Sequence, residues 1–237
     1  MTNRRFVTLG FCAITCASLL VGCFGGNKKK QHNTAADTTA TDAKNERHDP
    51  FETMADPPLN ANTRFAAGQL AESEGTPQKA IAQDREALKL DPRHQQTLFR
   101  LGAIYTDEKK FDEAIKLWQR YVEATDRSPA AYNNLALCYE KAERFNEAEK
   151  TYRAGIDRDA NDSTCRVNYG LMLARQGRTD EAIAQFETVL SPAEVHYNLG
   201  AVCEQQGKKD QAKAYYQKAL ELDPKLHDAQ ARLAALK

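Results

Sequence analysis

PAAYNNLALCYEKAERFNEAEKTYRAGIDRDAND, residues 129–162, is the stretch that decides the fold of this 237-residue chain. A small residue, Ala136, is followed three positions on by Tyr139 and twelve positions on by Ala148, with Tyr152 four beyond the alanine. Slid along the chain, the same pattern recurs. The small residue is Gly68, Gly102, Ala136, Gly170 and Gly200, and the alanine is Ala80, Ala114, Ala148, Ala182 and Ala212, at separations of 34, 34, 34 and 30. Four positions after the last four of these alanines stand Trp118, Tyr152, Phe186 and Tyr216, and two units end in Leu90-Asp91-Pro92 and Leu222-Asp223-Pro224. A fixed period of this length means stacked repeats, each of which buries its apolar face only against its neighbours.

The pattern resembles the tetratricopeptide (TPR) repeat, a 34-residue helix-turn-helix, over about three quarters of the chain. The resemblance implies an all-α solenoid wound as a right-handed superhelix, with five units over 61–94, 95–128, 129–162, 163–192 and 193–226 and a capping helix over 227–237. Small residues at two fixed positions let the paired helices approach closely, while the aromatic covers the seam one turn on. Ser128-Pro129, Ser191-Pro192 and Thr76-Pro77 read as N-caps followed by proline at the first helical position. In the cap, Ala231, Leu233, Ala234 and Leu236 are expected inward, with Asp228, Gln230, Arg232 and Lys237 outward.

Three departures carry expectations of their own. Asp84 stands where other units have an aromatic, which predicts a first seam poorly filled or partly exposed. Lys109 and Glu143 replace the turn glycine of Gly75, Gly177 and Gly207, at a cost if that position needs positive φ. The fourth unit lacks four residues after Leu190, close to one helical turn, so its second helix should be short.

The N-terminus is of another kind. Asn3, Arg4 and Arg5 precede a nearly uncharged run from Phe6 to Gly22, the layout of a secretory signal. Leu20-Val21-Gly22-Cys23 resembles the lipobox of bacterial lipoproteins, which implies cleavage after residue 22, lipidation of Cys23 and membrane attachment on the periplasmic side. Phe24 rather than Asp follows Cys23, which by the enterobacterial sorting pattern implies the outer membrane. An uncleaved anchor helix and an ordinary secretory signal are the alternatives. Residues 23–60, with Lys28-Lys29-Lys30, a Thr/Ala/Asp/Asn tract and Pro57-Pro58, read as a disordered linker with too little apolar surface to offset its ordering entropy.

Lys+Arg and Asp+Glu each number 33. Loss of Arg4 and Arg5 with the signal would leave a slightly acidic chain, so nucleic acid is not the expected partner. Cys12 and Cys16 leave with the signal, and Cys138, Cys165 and Cys203 are expected as small packing residues rather than disulfide partners. No catalytic, metal or cofactor site is expected: His94, His196 and His227 stand apart, and no Gly-rich phosphate loop follows a strand.

What remains is surface. In TPR proteins the first helices line a groove that binds peptides, and two positions before the small residue lie Ala66, Arg100, Asn134, Asn168 and Asn198, with Arg232 in the cap. The three asparagines resemble the ladder by which some TPR superhelices hold an extended peptide, since an amide can both donate to and accept from a peptide bond. Phe65, Phe99, Asn133 and Tyr197, one position earlier, would form the adjoining wall. The expected function is a non-enzymatic, membrane-anchored scaffold that binds an extended protein segment or assembly partner in this groove, in envelope, pilus or secretion assembly. The alternative is a self-associating structural lipoprotein whose solenoid faces pair two copies into a homodimer.

Overall fold

The structure is a computed structural model that describes residues 59–160 and 162–236. The expected signal segment 1–22, Cys23, the expected linker through residue 58 and Lys237 lie outside the described residues.

Eleven helices and no strand occur among the described residues. They pair as α1 (Ala61–Ser73) with α2 (Pro77–Leu90), α3 (Gln95–Asp107) with α4 (Phe111–Ala124), α5 (Pro129–Lys141) with α6 (Phe145–Arg158), α7 (Ser163–Arg175) with α8 (Thr179–Phe186), and α9 (Pro192–Gln205) with α10 (Lys209–Leu222), followed by α11 (His227–Ala235). Local chemistry starts them. Ser128 and Ser191 accept from the amides of Ala131 and Glu194, each with proline at the first helical position, and Asn60 closes a capping box with Thr63. Thr76 departs from its expected role: its hydroxyl donates back to the Ala71 carbonyl at 2.8 Å instead of capping α2.

Each pair turns through one motif. After α3, the Lys110 amide reaches the Tyr105 carbonyl at 2.8 Å and the Lys109 amide the Thr106 carbonyl at 3.2 Å, a Schellman closure that needs a left-handed residue. Lys109 and Glu143 supply it at φ 58°, where other units use glycine. The anticipated strain is present, of order 1–2 kcal/mol per residue for a side chain held there. Asp126 and Arg127, at φ 51° and 57° between the second and third units, add a left-handed pair that nothing in the repeat announced.

The seams explain the small residues. A Cβ on Gly102 would lie 2.8 Å from the Trp118 ring, one on Gly170 2.5 Å from Phe186, and one on Gly200 2.8 Å from Tyr216. Tyr152, Phe186 and Tyr216 are fully buried, each worth roughly 1.5–3 kcal/mol by area removed from water. α8 is short as expected, eight residues against fourteen in the other second helices. One continuous apolar core runs from α3 to Val202 of α9, and a smaller one joins Ala193, Tyr216, Ala219, Leu226 and Ala229 near the end.

Two expectations are corrected. Asp84 is neither exposed nor beside a void: it is 0% exposed, and an added Cβ on Gly68 would lie 2.8 Å from its Oδ1. The carboxylate takes the aromatic's slot because Arg100 of the next unit covers it, Nε to Oδ2 3.2 Å. In α11, Ala231 and Ala234 face solvent, while Leu226 and Ala229 are buried and Leu233 and Leu236 pack against them. That stripe, at steps of three, four and three, suits the helix better than the pattern read from the sequence.

Candidate functional site

Asn134, Asn168 and Asn198 sit half-buried on α5, α7 and α9, the first helices of three consecutive units. Two of the amides are partly engaged. Asn168 donates from Nδ2 to Asn133 Oδ1 at 2.7 Å, and Asn198 donates from Nδ2 to the Glu194 carbonyl at 2.8 Å, one turn back. These bonds spend an NH2 proton on each and aim the Oδ1 acceptors of both residues. Asn133, expected in the adjoining wall, is 7% exposed and serves as the acceptor that orients Asn168. A single polar step across α5 and α7 thus replaces part of the open surface that the register suggested.

The other groove residues divide. Phe99 is 45% exposed and meets Trp118 and Tyr121 edge-on at ring distances of 5.4 and 5.7 Å. Tyr197 is half-buried and tilted on Tyr216 at 5.7 Å. Phe65 lies 5.6 Å from the His94 ring and under the Arg100 guanidinium. Arg232 reaches Glu204 at 3.5 Å. Arg100 is placed differently from a ligand-binding arm: its side chain is 12% exposed, between Asp84 at 3.2 Å and Glu72 at 3.5 Å. Its N–H bonds point past Asp84, so the contact is an ion pair without an aligned hydrogen bond. Burial pushes the Asp84 carboxyl up to about 6, the nearby guanidinium opposing it.

Sequence reasoning missed the polar seam between the first two units. His94 is buried, Nδ1 2.8 Å from Thr97 Oγ1 and Nε2 2.8 Å from Asn62 Oδ1, so it ties the start of α1 to the start of α3. The available signal was the coincidence of Asp84 at the seam position with Arg100 at the asparagine position of the next unit. Cys138 and Cys165 are buried and Cys203 half-buried, all as free thiols. Burial pushes Cys165 up to about 12 and raises the other two, which keeps them protonated and weak nucleophiles. No cluster of three or more His, Cys, Asp or Glu that could hold a metal occurs among the described residues. No helix among them is long and apolar enough to cross a membrane.

Tetratricopeptide-repeat profiles match residues 65–129 and 193–226, and a profile of anaphase-promoting complex, cyclosome, subunit 3 matches 107–189. The fold is a tetratricopeptide-repeat solenoid. This TPR chain is 25% identical over 152 residues to anaphase-promoting complex subunit 3 of Schizosaccharomyces pombe, covering 62% of itself and 23% of that protein. It is 28% identical over 149 residues to the type IV pilus assembly protein PilF of Pseudomonas aeruginosa, covering 59% of each. The chain therefore spans less than two thirds of either relative. Among solved structures, the MamA protein superposes with a TM-score of 0.55 at 24% identity, over 71% of this chain and 94% of that one. TPR repeats of this kind serve protein interaction at a general level.

Proposed function

We propose that the chain is a lipid-anchored scaffold on the periplasmic side of the outer membrane, which acts by holding an extended segment of a protein partner rather than by catalysis. The observation that carries this reading is the row of Asn134, Asn168 and Asn198 at one register of successive first helices, with Oδ1 acceptors left for a peptide N–H. A relative named for type IV pilus assembly supports a role in building an envelope structure. The lipobox-like Leu20 to Cys23 supports the anchor. Cys23→Ser should abolish incorporation of labelled fatty acid and release the chain from membranes; equal label in both forms counts against the anchor.

Groove binding is tested by partner capture from detergent-solubilised membranes, followed by titration with the captured segment. Asn134→Ala with Asn198→Ala should weaken binding by about 1–3 kcal/mol, at about 0.5–1.5 per hydrogen bond lost, and leave the melt unchanged. Undiminished binding would remove the asparagine row from the site. Asn168→Ala serves as the contrast, because it also strips Asn133 of its donor.

One observation favours the second reading, pairing of two copies. Leu70 on α1 is 60% exposed at the register where later units bury Cys138, Met172 and Val202. Sedimentation of wild type against Leu70→Glu tests it: a dimer abolished by the substitution supports pairing through the first unit.

A further inference from the structure

The second helices carry a feature that the groove reading does not use. A hollow of about 380 Å³ opens between α2 and α4 over α3, floored by Leu88, Leu101, Leu117 and Tyr105. Arg85, Lys89, Lys116 and Arg120 rim it, against one lining carboxylate, Glu113. A second hollow of about 530 Å³ shares Lys116 and Arg120 and adds Arg93, Gln119 and Glu123. The two make one trough along α4, and all five of its cations are on exposed residues. The chain as a whole is electrically neutral, so the patch is a local concentration and not the by-product of a basic protein.

The guanidinium groups here are held by neutral oxygens. Arg85 donates to the Tyr105 hydroxyl at 2.6 and 3.1 Å, Arg120 to the Pro92 carbonyl at 2.7 Å, and Arg93 to the Glu123 carbonyl at 2.7 Å. Several arginines elsewhere meet carboxylates instead: Arg178 with Glu149 and Glu181 at 2.8 and 2.6 Å, Arg175 with Glu140 at 2.7 Å, and Arg144 with Glu147 at 2.8 Å. Lys89 alone in the trough has a close acidic partner, Glu86 at 2.6 Å, while Lys116 forms no ion pair. Orientation without neutralisation leaves positive charge ready for an incoming carboxylate, which a guanidinium grips in fork geometry at little further entropic cost.

We propose that the trough between α2 and α4 is a second protein-docking site, separate from the asparagine row, for an acidic segment of a partner protein with one large apolar side chain among its carboxylates. The apolar side chain seats on Leu88, Leu101 and Leu117, and the flanking carboxylates meet Arg85 and Arg120. The floor is leucines with one tyrosine and the rim carries Arg85 and Arg120; tyrosine and arginine are the residue types that most often anchor an interface. A recessed apolar floor favours a side chain over the plane of a bilayer, and a short trough does not match the long phosphate track of a nucleic acid.

The test uses the full chain in detergent micelles and a fluorescent synthetic peptide, Gly-Glu-Asp-Glu-Phe-Glu-Asp-Glu-Gly, followed by anisotropy. Wild type should bind, with affinity falling as salt rises. Arg85→Glu with Arg120→Glu should weaken binding by at least about tenfold, the loss expected when two charge-assisted contacts become repulsive. Lys116→Glu, at an exposed residue with no ion pair to break, should weaken it in the same direction and guards against a misfolded double variant. The peptide with Gly for Phe should bind at least about tenfold more weakly, the apolar anchor being gone. Asn134→Ala with Asn198→Ala should leave binding unchanged, so failure here and failure of groove binding are distinct results. No binding, equal binding to the charge-reversed chain, or equal binding of the Gly peptide overturns the proposal. So does charge-dependent attachment to phosphatidylglycerol vesicles that the acidic peptide does not displace, which assigns the patch to lipid.

Discussion

The first unit and the three behind it share a backbone plan but close their seams with different chemistry. In the second to fourth units Trp118, Tyr152 and Phe186 fill the slot beside the small residue and join one apolar core. In the first, the buried apolar residues are alanines, Ala61, Ala71, Ala80 and Ala87, and the slot holds the Asp84 carboxylate under Arg100. Its contacts with the second unit add polar ties to the apolar packing of Ile81 and Leu88, with His94 bridging Thr97 and Asn62. A repeat plan thus constrains volume at the seam more tightly than polarity, provided that the next unit supplies a counter-charge. The consequence is energetic: aromatic seams hold at any ordinary pH, whereas a buried carboxylate ties the first unit to pH and to one arginine.

Removing an aromatic seam should have the largest effect. Phe186→Ala is expected to cost about 3–5 kcal/mol in urea unfolding, because the short α8 has few other buried side chains to close around the void. A cost below about 1 kcal/mol would show that the aromatic seams are not what binds the units together.

Next in size is the pH dependence of the first unit. Asp84 rises from its ordinary 3.8 to about 6 by burial. The folded chain therefore holds this proton more tightly than the unfolded one, so the stability is fully present below about pH 4 and is lost as pH rises through about 6. At 1.36 kcal/mol per pH unit the span is about 3 kcal/mol. Hydrogen exchange in α1 and α2, corrected for intrinsic rates, should slow as pH falls from about 7 to 5, while Asp84→Asn flattens the dependence. A profile unchanged by Asp84→Asn would mean that the pair does not set the stability of the first unit.

Overpacking sharpens the contrast further. Ala148 is fully buried on α6 in the middle of the described stack, so Ala148→Leu should cost about 1–3 kcal/mol and loosen adjacent units. Ala80→Leu should cost less, because Ala148 lies in a unit with described repeats on both sides whereas Ala80 lies in the first described repeat. Equal costs would mean that both seams are equally rigid.

The smallest effect lies in the turns. Gly75 relaxes the first turn at φ 72°, whereas Lys109 and Glu143 hold φ 58° with a side chain in place. Lys109→Gly should raise stability by up to about 1 kcal/mol, the relieved left-handed strain being offset in part by a freer unfolded chain. A loss in thermal melting would mean that the Lys109 side chain contributes more than its backbone costs.

Period, helix pairing, the small residues at the seams, the short α8 and the caps at Ser128 and Ser191 were legible in the sequence, because each depends on residues within one unit. The cap helix was misread by one face: alanines at 231 and 234 suit either side of a helix, and only Leu226 and Ala229, docked against α10, set the inward stripe. Asp84 reads as a defect until Arg100, sixteen residues on, is stacked over it. Asn133 reads as surface until Asn168, thirty-five residues on, donates to it. The cationic trough draws Arg85 and Lys89 from one unit and Lys116 and Arg120 from the next. Repeat periodicity specifies which side of its own helix a residue occupies. What stands opposite that side is supplied by the neighbouring unit, and only the stacked structure decides whether a charge there is buried with a partner, left as a groove acceptor or held open to solvent.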